Sequence, residues 1–256
     1  MRALLPVAQE TFLRLRRDRM FLPAAMVGLG LLALSGLASY WGVEEFLKIL
    51  YDLGTTAFLF TGATVAIFWG NKIITDSRQE GSLEVQLASP ISRSTWLLGK
   101  FFGLTAGLVT LAIVLLIGWQ GIYASYGMGW IPKNDIIIFA VLGISWIIMG
   151  AVAILFASLA SAAIALFCTI WMFVIGLMSA PIMQALAPDT PAGTRRAVEI
   201  LAGLWNLHSF NLGSYGGKTE FLGQFELLSR CTYGFALIGV FLSLACFFFQ
   251  RRDIIG

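Results

Sequence analysis

Long apolar stretches alternate with short polar breaks along this chain. Six of them approach or exceed the roughly 20 residues that an α-helix needs to cross a bilayer. The pattern predicts spans at residues 21–40, 53–74, 97–123, 136–156, 162–180 and 231–249. A tight polar break at Ser158 and Ser161 separates the fourth span from the fifth, and Pro181 is expected to end the fifth. The sequence therefore predicts an all-α membrane protein whose single transmembrane domain occupies residues 1–256.

Residues 1–19 precede the first span and have a helical pattern of their own. An amphipathic helix with a basic polar face lies in the membrane interface, so we expect an interfacial elbow helix here. It would serve either as a simple topology anchor or as an additional contact for a cytoplasmic partner. Its predicted apolar face holds Leu4, Leu5, Ala8, Phe12 and Leu15, and its polar face holds Arg2, Gln9, Glu10, Arg14, Arg16 and Arg17.

Composition narrows the class of protein. Hydrophobic residues make up 58% of the chain and charged residues 12%, about half the charged share of a soluble domain. This excludes a soluble enzyme, a disordered chain and a secreted disulfide scaffold. The net charge of +3 is too small to suggest nucleic acid. The three cysteines lie far apart in apolar runs, which indicates neither a metal site nor a disulfide framework.

The basic residues predict the orientation in the membrane. Eleven of the 17 lysines and arginines fall on the side of the predicted spans that holds both termini, and six fall on the other side. Because basic residues accumulate on the cytoplasmic side, both termini are expected to be cytoplasmic in a multi-pass protein of the inner membrane. A cleaved signal peptide is the alternative for the N-terminus, but the apolar run is long and the basic region before it is extended.

Charged residues avoid the apolar cores of the predicted spans. Intramembrane charges mark proton relays and ion sites, so their absence argues against an ion-driven transporter. Energy for any transport would then enter from outside the bilayer. The Gly-Lys-Thr run at 217–219 lacks the spacing of a phosphate-binding loop, so this chain is expected to bind no cofactor itself. An intramembrane protease using Ser145 and His208 is left as an alternative.

The loop between the second and third spans, residues 76–93, is the most informative segment. Ser77 and Glu80 have the spacing of a capping box. Leu83 and Leu87 share one helical face, with acidic residues beside them. Pro90 would stop this short helix, and Ser92 can cap the helix that follows. Such a helix either fits a groove on a partner protein or lies on the lipid surface.

The same segment resembles the signature of ABC-2 type permease subunits. The family has a Glu-x-Gly-Thr-Leu-Glu-like stretch, then Pro-[Ile/Leu/Val]-Ser-Arg and Gly-Lys. Here Glu80 directly precedes Gly81, and Ser82 replaces the commoner threonine. The order of elements is also similar over nearly the whole chain, most of all to permeases of nitrous oxide reductase maturation and gliding-motility systems. The matching residues are Glu80-Gly81-Ser82-Leu83-Glu84, Leu87, Ser89-Pro90-Ile91-Ser92-Arg93 and Leu98-Gly99-Lys100.

The resemblance implies a mechanism. Two permease subunits, expected to be identical, would each dock on a cytoplasmic ABC ATPase subunit that binds ATP and magnesium. ATP-driven closure would push the 76–93 element and reshape the cavity between the permeases, exporting a substrate. A scaffold or force-transmitting subunit of a maturation machine, with a periplasmic partner, is the alternative. The implied ATPase contacts are Asp76, Arg78, Glu80, Gly81, Ser82, Leu83, Glu84, Leu87, Ser89, Pro90 and Arg93.

The segment 181–229 is apolar but broken by prolines and charges. It is expected to form short re-entrant or interfacial helices on the outer side, since non-helical backbone at membrane depth must be covered by protein or line water. Pro181, Trp205 and Phe210 are candidate residues of an outer gate; the alternative is a simple cover for the bundle. The uncharged spans favour a lipid, a lipid-linked glycan or another amphipathic substrate.

Overall fold

A computed structural model describes residues 4–41, 45–79, 92–185, 191–216 and 223–251, and these ranges contain eight α-helices and two short 3-10 turns. The helices are α1 (Leu4–Arg16), α2 (Phe21–Tyr40), α3 (Phe46–Gln79), α4 (Arg93–Ser125), α5 (Lys133–Leu159), α6 (Ala162–Ala185), α7 (Ala192–Leu204) and α8 (Gln224–Arg251). The 3-10 turns are His208–Phe210 and Gly213–Tyr215.

Six of the described helices are long and apolar enough to cross a membrane, which confirms the predicted number of spans. They are α2, α3, α4, α5, α6 and α8. The first span has the predicted bounds, whereas α3 extends well beyond the predicted 53–74. Polar residues beyond its predicted end do not break it, because hydroxyl groups such as that of Ser77 donate back to a carbonyl of the same helix, here that of Ile73 at 2.8 Å.

Pro181 does not end the fifth span. The helix α6 continues to Ala185, and Pro181 lies inside it. A proline near the end of a helix removes only one intrahelical hydrogen bond, so the last turn can still form. The predicted break before this helix is confirmed at residues 160–161, although Ser158 lies within α5, where its hydroxyl donates to the carbonyl of Leu155 at 2.6 Å.

The helices α3 and α5 form the centre of the bundle. In each, 67% of the most apolar stretch is buried, against 28% in α2 and α6 and 17% in α8. The two central helices approach closely at Gly62, where a Cβ would lie 1.8 Å from the indole of Trp146. Phe58 stacks on the same indole with ring centres 4.2 Å apart. Only glycine at position 62 leaves room for this tryptophan between the helices.

The N-terminal helix α1 packs along the first half of α4. Its buried residues Val7, Thr11 and Leu15 contact a stripe of glycines on α4. The contacts advance together along both helices, so α1 and α4 run parallel. This buried face differs from the predicted apolar face, on which Leu5 is exposed. The contacted glycines are Gly99, Gly103 and Gly107.

The helix α2 continues alongside α4 where α1 ends. A Cβ on Gly28 would meet Leu115, and the hydroxyl of Tyr126 donates to the carbonyl of Gly36 at 2.6 Å. The bundle therefore has two distinguishable ends. We call the end with α1, the end of α3, the start of α4 and the end of α8 the basic end, and the other the opposite end.

Charged side chains do not all avoid the spans. Lys72, Lys100 and Asp135 lie within spanning helices, and Lys100 and Asp135 are almost fully buried. Lys72 and Lys100 lie near the ends of the predicted spans 53–74 and 97–123, and Asp135 lies just before the predicted span 136–156, so that the absence of charge from the apolar cores stays a prediction. Lys100 is accommodated because its ammonium lies 5.3 Å from the ring centre of Trp96, a favourable cation–π position.

Gly103→Ala tests the packing of α1 on α4. The new Cβ would lie 2.5 Å from the Cβ of Thr11 and 2.6 Å from the carbonyl oxygen of Ala8, so α1 must shift. Overpacking of this kind costs about 1–3 kcal/mol, and we expect the thermal unfolding midpoint in detergent to fall by about 5 °C. Gly121→Ala on the same helix, where a Cβ meets nothing within 4 Å, is the control. Equal midpoints for the two variants would contradict the packing.

Candidate functional site

The predicted ATPase-coupling residues lie at and between the ends of α3 and α4. Asp76 and Arg78 are on the last turns of α3, and Arg93 begins α4. The assignment of this set as partner contacts stays a prediction. The residues of the set that lie outside the described ranges are Glu80, Gly81, Ser82, Leu83, Glu84, Leu87, Ser89 and Pro90.

The two serines predicted to cap helices in this region have different positions. Ser77 does not begin a helix with a capping box, because it lies inside α3 and its hydroxyl donates to the carbonyl of Ile73 at 2.8 Å. Ser92 is the N-cap of α4, as predicted, and its hydroxyl oxygen accepts from the backbone N–H of Thr95 at 3.2 Å. The start of α4 is thus defined by its own sequence.

The start of α4 is also joined to the end of α8. The guanidinium of Arg93 donates to the carbonyl of Gln250 at 3.2 Å. One turn further along, Trp96 stacks on Phe249 with ring centres 5.5 Å apart and planes at 11°. Because Trp96 is fully buried, a displacement of the start of α4 would be passed to α8.

A charged cavity of about 650 Å³ opens at the basic end, between α1, α3 and the start of α4. We call it the basic cavity. Three apolar residues and one threonine share its wall with five cationic and three acidic side chains, so cations are in excess by two. The charged residues are Arg14, Arg17, Arg19, Lys72, Lys100, Glu10, Asp18 and Asp76.

An ion pair fixes the corner between α1 and α2 at this cavity. The ammonium of Lys72 on α3 lies 2.5 Å from Oδ2 of Asp18, and the other carboxylate oxygen, Oδ1, accepts from the backbone N–H of Met20 at 3.0 Å. Partial burial by itself raises the pKa of Asp18, but the hydrogen bonds from Lys72 and Met20 and the charge of Lys72 outweigh it and lower the pKa below its ordinary value. The carboxylate therefore stays ionised and holds α1 against α3.

A buried polar network occupies the opposite end. The hydroxyl of Tyr51 on α3 donates to a carboxylate oxygen of Asp135 on α5 at 2.5 Å and forms a hydrogen bond with the hydroxyl of Tyr123 on α4. All three residues are buried. The sequence prediction missed this network because it began the fourth span at residue 136, whereas α5 begins at Lys133 and carries Asp135 into the bundle.

Two of the three predicted gate residues attach residues 205–216 to the bundle; we call these residues the outer segment after their predicted location. The indole N–H of Trp205 donates to the carbonyl of Met172 on α6 at 2.7 Å. Phe210 is fully buried and stacks on Tyr233 of α8. Pro181 is exposed on α6 and has no part in these contacts among the described residues. Their role as a gate stays a prediction.

The same segment covers the Asp135 network. A Cβ on Gly213 would lie 2.6 Å from the hydroxyl of Thr55, and one on Gly216 would lie 2.0 Å from the ring of Tyr51. Residues 205–216 therefore fold into the opposite end of the bundle. By contrast, the described residues of α7 include none that is buried, and its Leu201 and Leu204 are exposed. That pattern suits a helix lying at a membrane surface.

The residues of the protease alternative have different environments. Ser145 is buried in α5, and its hydroxyl donates to the carbonyl of Leu142 at 2.6 Å. His208 is exposed in the first 3-10 turn. A serine engaged with its own helix and a histidine facing outward do not form the hydrogen-bonded pair that nucleophilic catalysis requires.

Tyr51→Phe tests the network at the opposite end. Loss of the hydroxyl leaves a buried carboxylate oxygen without its donor, which costs about 1–3 kcal/mol. We expect a lower thermal unfolding midpoint in detergent. Tyr40→Phe, at an exposed tyrosine on the same end, is the matched control and should leave the midpoint unchanged. If both variants unfold at the wild-type temperature, the hydrogen bond contributes nothing to stability.

Comparison with known proteins identifies the family. No curated protein matches the chain. The family model described as "ABC-2 family transporter protein" matches residues 7–254, which include all six spanning helices. This match does not assign the chain to the nitrous oxide reductase or gliding-motility systems. The chain belongs to the ABC-2 family of transporter proteins, as its membrane-spanning component.

Proposed function

We propose that this chain is a permease subunit that couples ATP hydrolysis on a separate cytoplasmic subunit to the export of an amphipathic substrate. Membership of the ABC-2 family makes it a transmembrane subunit of an ABC transporter, and such domains do not themselves bind ATP. The family implies an ABC ATPase as partner and a second permease subunit, which we propose to be a second copy. ATP and magnesium would then be bound by the ATPase subunit.

The length of two helices is the observation that supports the coupling role best. The helices α3 and α4 have 34 and 33 residues, so each is about 50 Å long. A bilayer core is about 30 Å thick. Both helices therefore have length to project beyond it, and residues 80–92 join them at the basic end. This is the arrangement that a coupling element requires, because a push on the connection acts directly on two membrane-spanning helices.

The packing at the basic end would transmit a displacement of the α3–α4 connection to the neighbouring helices. The start of α4 contacts α1 through the glycine stripe and α8 through Arg93 and Trp96. The end of α3 is attached to the α1–α2 corner through Lys72 and Asp18. A movement of the connection would therefore reach three other helices together, α1, α2 and α8.

We propose that the basic end faces the cytoplasm, because positive charge accumulates there. The outer segment would then lie on the periplasmic side, where an outer partner of a maturation system would also bind. The substrate would move along the apolar helix surfaces that face the second subunit and the surrounding lipid, which suits an amphipathic molecule. Asp135 does not contradict this, because it is sealed by Tyr51 and the outer segment.

The coupling assignment predicts the loss of a complex. Glu84→Lys with Leu87→Asp reverses a charge and replaces an apolar side chain with a charged one in the segment 76–93. We expect copurification of the ATPase subunit, and ATP-dependent transport by the reconstituted complex, to fall at least about tenfold, which corresponds to about 1.4 kcal/mol of lost contact energy.

The control makes the same chemical changes at the other end of the bundle. Glu199→Lys with Leu201→Asp alters two exposed positions on α7 and should leave copurification at the wild-type level. An intact, active complex with the first variant would show that residues 76–93 do not couple the ATPase.

The orientation is tested by labelling single cysteines with a membrane-impermeant maleimide. In a variant whose Cys168, Cys231 and Cys246 are replaced by alanine, the exposed residues Arg16 and Arg196 are changed to cysteine one at a time. We expect the cysteine at 196 to be labelled on intact cells and that at 16 only after permeabilisation. The reverse pattern would place the basic end outside.

A further inference from the structure

We propose that the basic cavity and an adjoining apolar groove together form a binding site for one anionic phospholipid of the leaflet at the basic end. The phosphate would lie in the basic cavity, and one acyl chain would lie between α2 and α3. The site lies within a single chain and requires neither ATP nor a second subunit. It goes beyond the proposed export function and can be tested without it.

The charge of the cavity supports an anionic ligand. Lys72 is paired with Asp18, and Arg14 lies 3.8 Å from Glu10. Arg17 and Arg19 form no ion pair with any residue in the described ranges, and both are exposed at the cavity. Guanidinium groups bind phosphate oxygens in a bidentate manner, so two such groups at one corner suit a phosphate. Basic pockets between membrane helices on the cytoplasmic side bind acidic head groups.

The apolar groove begins where the basic cavity ends. Arg19 lines both, and from there the groove runs along α2 and α3 past Val27, Leu31 and Phe60, with a volume of about 520 Å³. A second apolar groove of about 800 Å³ continues from Leu31 and Phe60 toward Trp41 at the opposite end. We call the two together the α2–α3 groove.

The dimensions fit a lipid. The 12-residue rise from Arg19 to Leu31 along α2 corresponds to about 18 Å. One leaflet of the hydrocarbon core is about 15 Å thick. A molecule with its phosphate at Arg19 and an acyl chain in the groove would thus have the depth and polarity of a phospholipid in its own leaflet. A soluble phosphate compound would leave the apolar groove unused.

The experiment measures lipid binding to the purified, delipidated full-length chain by native mass spectrometry. The probes are phosphatidylglycerol, phosphatidylcholine and the acyl-free head group glycerophosphoglycerol. We expect phosphatidylglycerol to bind at least about tenfold more tightly than either of the others. Equal binding of phosphatidylcholine would overturn the proposal. Glycerophosphoglycerol binding as tightly as phosphatidylglycerol would also overturn it, because the ligand would then be a soluble phosphate compound.

Paired variants locate the head group. Arg17→Gln with Arg19→Gln removes the two cations from the cavity, and the loss of two basic side chains at a membrane surface should weaken phosphatidylglycerol binding about thirtyfold. Arg16→Gln with Arg251→Gln removes two exposed arginines at the same end that do not line the cavity, and it should change binding less than twofold. If the two double variants weakened phosphatidylglycerol binding equally, the binding would depend only on the nonspecific positive charge of the surface, and the proposal would be overturned.

A second pair of variants locates the acyl chain. Val27→Trp fills the groove at a side chain that is 61% exposed, so the helix should fold normally. We expect it to weaken phosphatidylglycerol binding at least about tenfold while leaving the thermal unfolding midpoint in lipid-free detergent unchanged. Val240→Trp, at a 54% exposed position on α8, is the control. Unchanged binding to Val27→Trp would overturn the placement of the acyl chain.

Discussion

A polar group that enters the bilayer is costly to bury without a partner inside the protein, and this constraint organises most of the bundle. Among the described residues four buried side-chain atoms lack a hydrogen-bond partner: Asn71 Oδ1, Asp135 Oδ1 and the indole nitrogens of Trp119 and Trp146. The constraint acts first on single residues. Thr55, Thr61 and Ser145 each donate a hydroxyl hydrogen bond to a carbonyl of their own helix. Hydroxyl residues can therefore lie in the middle of spanning helices without interrupting them. The helices can then be long, and the length of α3 and α4 underlies the proposed coupling.

The same constraint acts between helices at the two ends of the bundle. At the opposite end, Asp135 is buried with a tyrosine hydroxyl as donor, and the outer segment closes over Tyr51. At the basic end, Lys72 and Asp18 neutralise each other at the corner between α1 and α2. The two ends differ in whether a charged cavity is left open. The opposite end is sealed, whereas the basic end keeps a cavity with more cations than anions, open for an anionic ligand.

Close packing explains why the basic end can behave as one unit. Membrane helices associate through small residues that let the backbones approach, since lipid offers no hydrophobic driving force between them. The glycine stripe of α4 receives α1 in this way, and Gly62 of α3 receives Trp146 of α5. Helices packed this tightly transmit a displacement because they cannot slide past each other without losing contacts. The connection between α3 and α4 would therefore act on a rigid group of helices.

The number of spans could be predicted from the sequence, because it depends on hydropathy over about 20 consecutive residues, which is a local property. The capping of α4 by Ser92 and the break between α5 and α6 are local too, and the ABC-2 resemblance rests on a short contiguous motif. The tertiary structure decided the rest. The burial of Asp135, the face on which α1 packs, and the meeting of Arg19 with both a charged cavity and an apolar groove depend on residues far apart in the chain. Periodicity shows that a helix has an apolar face, but the neighbouring helix that covers this face is determined only by the packing of the whole bundle.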